Sequence, residues 1–235
     1  MVPGTRRLGA LLFDFDHTLA DLGRWVDWQA ARDGIQALYA ELGLDVMEIL
    51  RARRGHSPMA VLDAALHAHA SPAVAGRVKA KAYAILESVE CEGAERTALL
   101  PGAAAALEMA TTTGVQVGIV TANAESAARR VLSRCDLQAD VRVVVGRTID
   151  LPLKPAPDMF VRAAERLGVA PGETIGVGDS PGDAEGAVAA GMLAVGVLGG
   201  EAGQGRLFDA GASWVLQDLT ALPLLLAFWR AEGVD

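Results

Sequence analysis

A doubly wound α/β sheet carrying an inserted helical unit is the fold class that three features of this sequence predict. A short apolar run over residues 8–13 stops at two aspartates, Asp14 and Asp16. From Pro101-Gly102 onward, helical patterns and short apolar strands alternate, as they do in the βα units of a parallel sheet. Between these parts lies a block of about 75 residues with helical pattern and no strand signal.

The first run is too short for a lone helix and reads as a buried strand of a parallel sheet. An unpaired ionised carboxylate is costly to take out of water. Asp14 and Asp16 therefore belong at the strand's carboxyl end, where open α/β sheets bind ligands. Two carboxylates placed there need a cation, a shared proton or a reacting partner.

The next block predicts helices over 28–42, 46–53, 58–70 and 72–89. Pro58 and Pro72 each sit just inside a helix start, behind Ser57 and Ser71 as N-cap candidates. Gly43 and Gly55 are natural stops. The expected division is a core of residues 1–20 and 99–235 with a helical insert over 21–98. Connections near 19–23 and 91–102 would then act as the hinges of a lid.

The remainder of the core follows in order. A helix over 102–113 stops at Gly114, and a strand over 116–120 runs into Thr121. A helix over 124–134 precedes a strand over 141–145, and a helix over 156–167 stops at Gly168. A strand over 174–177 leads into Gly178-Asp179, a helix over 181–190 ends at Gly191, and a strand over 193–197 follows. Short loops between alternating elements imply parallel pairing with right-handed crossovers.

Composition narrows the function classes. Apolar residues make up 51% of the 235, enough to bury a sizeable core. A net charge of −8 argues against nucleic acid as a partner, which favours a basic surface. Cys91 and Cys135 have no metal-ligand spacing and read as reduced thiols. The apolar run behind Arg6 and Arg7 is about six residues, too short for a signal core. No stretch reaches the roughly 18 apolar residues of a membrane helix. A cytoplasmic protein without membrane contact, working as a monomer or homodimer, is expected.

Three further polar groups fall at the same predicted sheet edge. Thr121 follows Gly118-Ile119-Val120, Lys154 directly precedes a helix, and Asp179 and Asp183 bracket Ser180-Pro181-Gly182. Singly, Thr121 reads as a helix cap, Lys154 as an exposed charge and Asp179-Ser180-Pro181 as a helix start. Their joint placement with Asp14 and Asp16 points to a site.

The segments DFDHTLAD, VTAN, KPAPDMF and GDSPGDAEGAVAAGM resemble, in order and spacing, the four motifs of haloacid dehalogenase-like hydrolases. The helical insert is similar to the cap of the phosphoglycolate phosphatase and β-phosphoglucomutase branch. The resemblance covers nearly the whole chain and implies a Rossmann-like core with a helical cap. It implies that Asp14 is the nucleophile and Asp16 the general acid/base. It implies Mg²⁺ held by the Asp14 carboxylate, the Asp16 backbone carbonyl and Asp179, with Asp183 in support. Lys154 would offset charge at phosphorus, and Thr121 with the N–H groups of Ala122 and Asn123 would hold phosphate oxygens.

Asp16 argues against dehalogenation, and Gly178-Asp179-Ser180-Pro181-Gly182-Asp183 is closer to the phosphatases than to the mutases. The implied activity is Mg²⁺-dependent hydrolysis of a small phosphorylated metabolite, phosphoglycolate being the first candidate. A β-phosphoglucomutase-like phosphomutase and a non-catalytic binding or regulatory relative are the alternatives. His17 stands where the family usually has glycine, and reads as a solvated neighbour rather than a second proton carrier. Arg51, Arg53, Arg54 and His56 fall where related caps place a substrate-reading loop; arginine suits a second anionic group. Trp25 and Trp28 read as cap–core packing, and His67 and His69, two apart on a helix, as ordinary insert residues rather than a metal pair.

Overall fold

Every residue of the first strand, β1 (Ala10–Phe13), is apolar and fully buried, and this puts it at the centre of the sheet. The computed structural model describes residues 8–52, 58–200 and 202–232. β1 pairs in parallel with β2 (Gln116–Val120) on one side and β4 (Thr174–Gly178) on the other. β3 (Val143–Val145) lies outside β2, and β5 (Leu193–Val197) and β6 (Trp214–Leu216) extend the sheet beyond β4. The strand order is β3-β2-β1-β4-β5-β6. The order reverses at β1, so the crevice at its carboxyl end is the ligand position of such sheets.

Side chains alternate along β1 and divide the core between two faces. Leu11 and Phe13 join the cluster that holds α5 (Ala103–Thr112), α6 (Glu125–Arg134) and the start of α10 (Leu222–Glu232). Ala10 and Leu12 join the opposite cluster, with α7 (Asp158–Leu167), α8 (Pro181–Ala189) and α9 (Gln204–Asp209). Each fully buried Leu or Phe of this strand contributes about 1.5–3 kcal/mol. A charge introduced at Leu12 would break both the strand and the layer beneath it.

Between β1 and β2 run α1 (Trp28–Ala40), α2 (Val46–Ala52), α3 (Pro58–His69) and α4 (Pro72–Ala94). Asp27 caps α1 by accepting from Ala30 N at 2.9 Å. Ser71 takes the N-cap position of α4, but its side chain makes no cap bond. Ser57 and Gly55 lie outside the described residues. Gly43, Gly114, Gly168 and Gly191 all adopt positive φ at the expected stops.

The two connections to the insert are fastened to each other. Asp21 N donates to Ala98 O at 3.1 Å, Ala98 N donates to the Asp21 carboxylate at 2.7 Å, and Ala20 bridges Leu99. Trp25 sits beside this clasp with the guanidinium groups of Arg24 and Arg96 at 5.3 and 4.3 Å from its ring centre. Several expected bounds shift by one to five residues, most of all in the following elements. α4 continues past residue 89 to Ala94, because Glu90, Gly93 and Ala94 are buried against the core. α7 starts at Asp158 rather than 156, after Pro155 and Pro157, and β3 starts at Val143 rather than 141. Cys91 and Cys135 are both free, and no described helix is long and apolar enough to cross a membrane.

Candidate active site

The sheet ladder delivers the first aspartate. Asp14 N donates to Val177 O at 2.8 Å, continuing the β1–β4 pairing one residue past Phe13. Thr121 N donates to Val145 O at 3.0 Å and holds the end of β2 in the same way. Lys154, expected singly as an exposed charge, is buried: Nζ donates to Asp14 Oδ1 at 2.5 Å, to Val120 O at 3.1 Å, and to Asp183 Oδ1. Asp14, Asp179 and Asp183 can each bring an oxygen to within 4.8 Å of the others, and all three are buried.

Burial drives the electrostatics of this cluster. It pushes the Asp14 carboxyl well up, with Asp183 and Asp179 adding to the shift and Lys154 opposing it. Asp179 is pushed up to about 6, by burial first and Asp183 next. Burial alone would lower Lys154, but Asp14 and Asp183 outweigh it and hold the ammonium above its usual range. One cation, bonded to Asp14 and Asp183, thus serves a group of three carboxylates. Hard oxygens around a confined point suit a small divalent ion.

Several residues fix these groups in place. Thr18 Oγ1 donates to Asp179 Oδ1 at 3.1 Å from a buried position. Ser180 and Asp183 form a reciprocal capping box on α8. Asp183 therefore starts a helix with one oxygen and faces Lys154 with the other. Gly199 and Gly200 close the opposite wall. A Cβ on Gly200 would lie 1.9 Å from Asp179 Oδ2, and one on Gly199 would lie 1.7 Å from His17 O. Thr18, Gly199 and Gly200 were not among the residues expected at the site; Thr18 carried a signal, two residues after Asp16, and the glycines carried none.

Asp16 stands apart from the three-carboxylate group. Its Oδ1 accepts from Gly23 N at 2.8 Å, and a Cβ on Gly23 would strike Oδ2 at 2.6 Å. Burial raises the Asp16 carboxyl, while Gly23 N–H and His17 pull it down. A carboxyl shifted upward is suited to donating a proton. Trp28 Nε1 donates to Gly23 O at 2.8 Å, so the first helix of the insert braces the same turn. His17 has φ 63°, with Nε2 3.8 Å from Asp16 Oδ2 and half the side chain exposed.

The second motif differs from expectation. Thr121 Oγ1 donates to Asn123 Oδ1 at 2.9 Å and accepts from Asn123 N at 3.1 Å. The Asn123 N–H is therefore already used, and a phosphate oxygen would have to displace the threonine to reach it. α6 begins only at Glu125, and Ala124 N donates to Glu90 Oε2 at 2.8 Å. Glu90 also accepts from Asn123 Nδ2 and from both Arg147 Nη atoms at 2.9 Å, while Arg147 donates to Ala122 O at 2.6 Å. Neither Glu90 nor Arg147 was singled out from sequence; each resembles an ordinary helix or loop charge.

Arg53, Arg54 and His56 lie outside the described residues, and Arg51 is exposed at the end of α2. His67 and His69 are exposed, each bonding by Nδ1 to a carbonyl of its own helix at 2.8 and 2.9 Å.

Comparison with known proteins shows the family. The family model of haloacid dehalogenase-like hydrolases matches residues 8–191. The chain is 30% identical to "Protein CbbY" of Rhodobacter capsulatus, over 91% of this chain and 95% of that protein. It is also 30% identical to a phosphoglycolate phosphatase of Pseudomonas putida, over 94% of this chain and 80% of that one. The crystal structure of a hydrolase from Pseudomonas syringae superposes with a TM-score of 0.66 at 26% identity, covering 94% and 98% of the two chains.

Proposed function

We propose, from the premise that this chain belongs to the haloacid dehalogenase-like hydrolases, that it hydrolyses a small phosphomonoester through an aspartyl phosphate on Asp14. The observation that carries this reading is the group of Asp14, Asp179 and Asp183 around Lys154 at the carboxyl edge of the sheet. The three carboxylates fit Mg²⁺, with Asp14 and Asp179 as ligands, the Asp16 carbonyl beside them and Asp183 in support. When bound, that ion draws the phosphate dianion toward an anionic nucleophile and stabilises the charge of the transferring group.

The remaining steps belong to the side chains. An Asp14 oxygen attacks phosphorus, a new O–P bond forms, and the ester O–P bond breaks. Asp16 gives its proton to the departing oxygen, then takes one from the water that attacks the phosphoenzyme and frees Asp14. Lys154 orients Asp14 and offsets phosphate charge. Thr121 offers its hydroxyl to a phosphate oxygen, and the N–H groups of Ala122 and Asn123 follow if Thr121 moves aside.

The name of the P. putida relative supports a phosphatase, and the phosphoglycolate it names heads the substrates to test. Were the substrate such an acid, Arg53, Arg54 and His56, which lie outside the described residues, would be the groups to read its carboxylate. The test is phosphate release from a panel of phosphorylated metabolites, with and without Mg²⁺. Turnover that needs Mg²⁺ and vanishes in Asp14→Asn is expected; full turnover in excess chelator would refute the mechanism.

A further inference from the structure

Between the helical insert and the second motif lies a cavity of about 430 Å³ that the chemistry above does not use. Its walls are apolar: Ile35, Leu50, Met59, Leu62 and Leu86 come from the insert. One end is made by Ala122 and Asn123, which directly follow Thr121, and by Leu153, which directly precedes Lys154. The cavity thus begins at the two residues placed to hold phosphate oxygens.

The charges on its lining are mostly accounted for. Glu90 and Arg147 are bound to each other through both guanidinium nitrogens, and their side chains are 1% and 4% exposed. Arg32, the other cation among the described lining residues, is exposed and bonds Gln29. Trp28 already spends its indole N–H on Gly23 O, so the ring offers the cavity only apolar surface. Nothing in the described lining is arranged to hold a second anion in the interior.

Size points the same way. Pockets for organic ligands run from roughly 300 to 1,000 Å³, and 430 Å³ falls within that range. The two-carbon acid of phosphoglycolate has four heavy atoms beyond the phosphate, which fill roughly 100 Å³ on a scale of ~30 Å³ for a water-sized group. Such a substrate would leave most of an apolar cavity empty or wet.

We propose that the cavity receives the carbon body of the substrate, and that this body is an apolar chain or ring of about six carbons or more rather than a short acid. This rests on the phosphatase reading. With the phosphate at Asp14, Thr121 and Lys154, the substituent would enter beside Ala122 and Leu153, the lining residues next in sequence to Thr121 and Lys154.

The test uses the full chain with Mg²⁺ and a series of n-alkyl phosphates from ethyl to octyl, beside phosphoglycolate. Each buried methylene is expected to raise kcat/KM by about fourfold until the cavity is full, with hexyl phosphate ahead of phosphoglycolate. Ala31→Leu, which narrows the cavity, should shorten the optimal chain; Leu50→Ala should lengthen it. Binding of ethyl- and hexylphosphonate, which are not hydrolysed, is measured in parallel by calorimetry. Turnover of phosphoglycolate with a flat or falling alkyl series, and equal binding of the two phosphonates, overturns the proposal and leaves the phosphatase reading standing. Tighter hexylphosphonate binding without turnover of any ester overturns the phosphatase reading and supports the cavity's preference.

Discussion

Two buried cation–carboxylate clusters border the second motif, one bonded to Val120 O and the other to Ala122 O, and they differ in charge balance. Lys154 is 8% exposed and bonds Asp14 and Asp183, with Asp179 grouped beside them. Arg147 is 4% exposed and faces Glu90 alone, in a two-pronged pair that also takes in Asn123 and Ala124. Burial is therefore alike, and the count of charges is not. A balanced, fully hydrogen-bonded pair is complete as it stands and can only hold structure. Three carboxylates around one ammonium leave negative charge that needs a divalent cation and a phosphoryl group to make sense. Charge imbalance, more than burial, separates chemistry from architecture here.

The largest effects should come from the unbalanced cluster and fall on rate. Asp14→Asn is expected to lower kcat/KM by about 10⁴-fold or more. Melting in chelator should show the variant at least as stable as the parent, because one of three crowded carboxylates is gone. A clear loss of metal-free stability would mean that Asp14 is chiefly a structural partner of Lys154.

Asp16 should behave as an acid, not as part of the cation site. Asp16→Asn is expected to cost about 10²–10⁴-fold with an alkyl phosphate and much less with an activated aryl phosphate. Comparing kcat/KM, which reports the step that expels the leaving group and not the later hydrolysis of the phosphoenzyme, checks this for the two leaving groups, and a uniform loss would assign Asp16 to positioning.

The balanced cluster should show the reverse profile, a loss of stability more than of rate. Glu90→Ala leaves Arg147 buried without its partner and is expected to destabilise by about 3–5 kcal/mol. Replacing both, Glu90→Leu with Arg147→Met, should recover most of that loss. Denaturant titration of the single and double variants measures it. The same pair ties α4 to the core, as does Ser126 Oγ donating to Glu87 at 2.5 Å.

A smaller effect follows from pH. The folded protein keeps a proton on Asp179 up to about 6, above the ordinary carboxylate value of 3.8. Without metal, stability should therefore fall as pH rises from about 4 to about 6, by at most about 3 kcal/mol for this group. Mg²⁺ needs the ionised carboxylates, so its stabilising effect should be larger near pH 7.5 than near pH 5. Thermal melts with and without Mg²⁺ at the two pH values decide the point. An equal Tm gain at both would show that these carboxylates do not govern metal binding.

The contrast also explains what the sequence could reveal. Asp14, Asp16, Thr121, Lys154, Asp179 and Asp183 were legible because each interrupts an apolar run or opens a helix at a strand end. Five strands were legible for the same reason, since parallel strands buried on both faces are continuous apolar runs. Glu90 and Arg147 were not, because a residue's partner 57 positions away leaves no local trace. β6 and the helices α9 and α10 carry Trp, Phe and Leu without a strand–turn–helix rhythm, and so went unassigned. The bound at residue 89 fell short because the next residue, Glu90, is a charge that the fold buries in an ion pair.

His17 gives the smallest effect and tests the boundary between the two kinds of residue. Its φ of 63° lies in the left-handed region, which is why glycine is usual there. The strain costs about 1–2 kcal/mol, and glycine gives back about 0.5–1 kcal/mol in unfolded-state entropy. His17→Gly should therefore stabilise by about 0.5–1 kcal/mol. The imidazole lowers the Asp16 carboxyl from 3.8 Å away, so its removal should move the acid upward and leave kcat within a few-fold. Denaturant titration and a pH–rate profile together settle its role. A tenfold or greater fall in kcat, rescued by His17→Asn no better than by glycine, would make His17 a proton carrier and add it to the catalytic set.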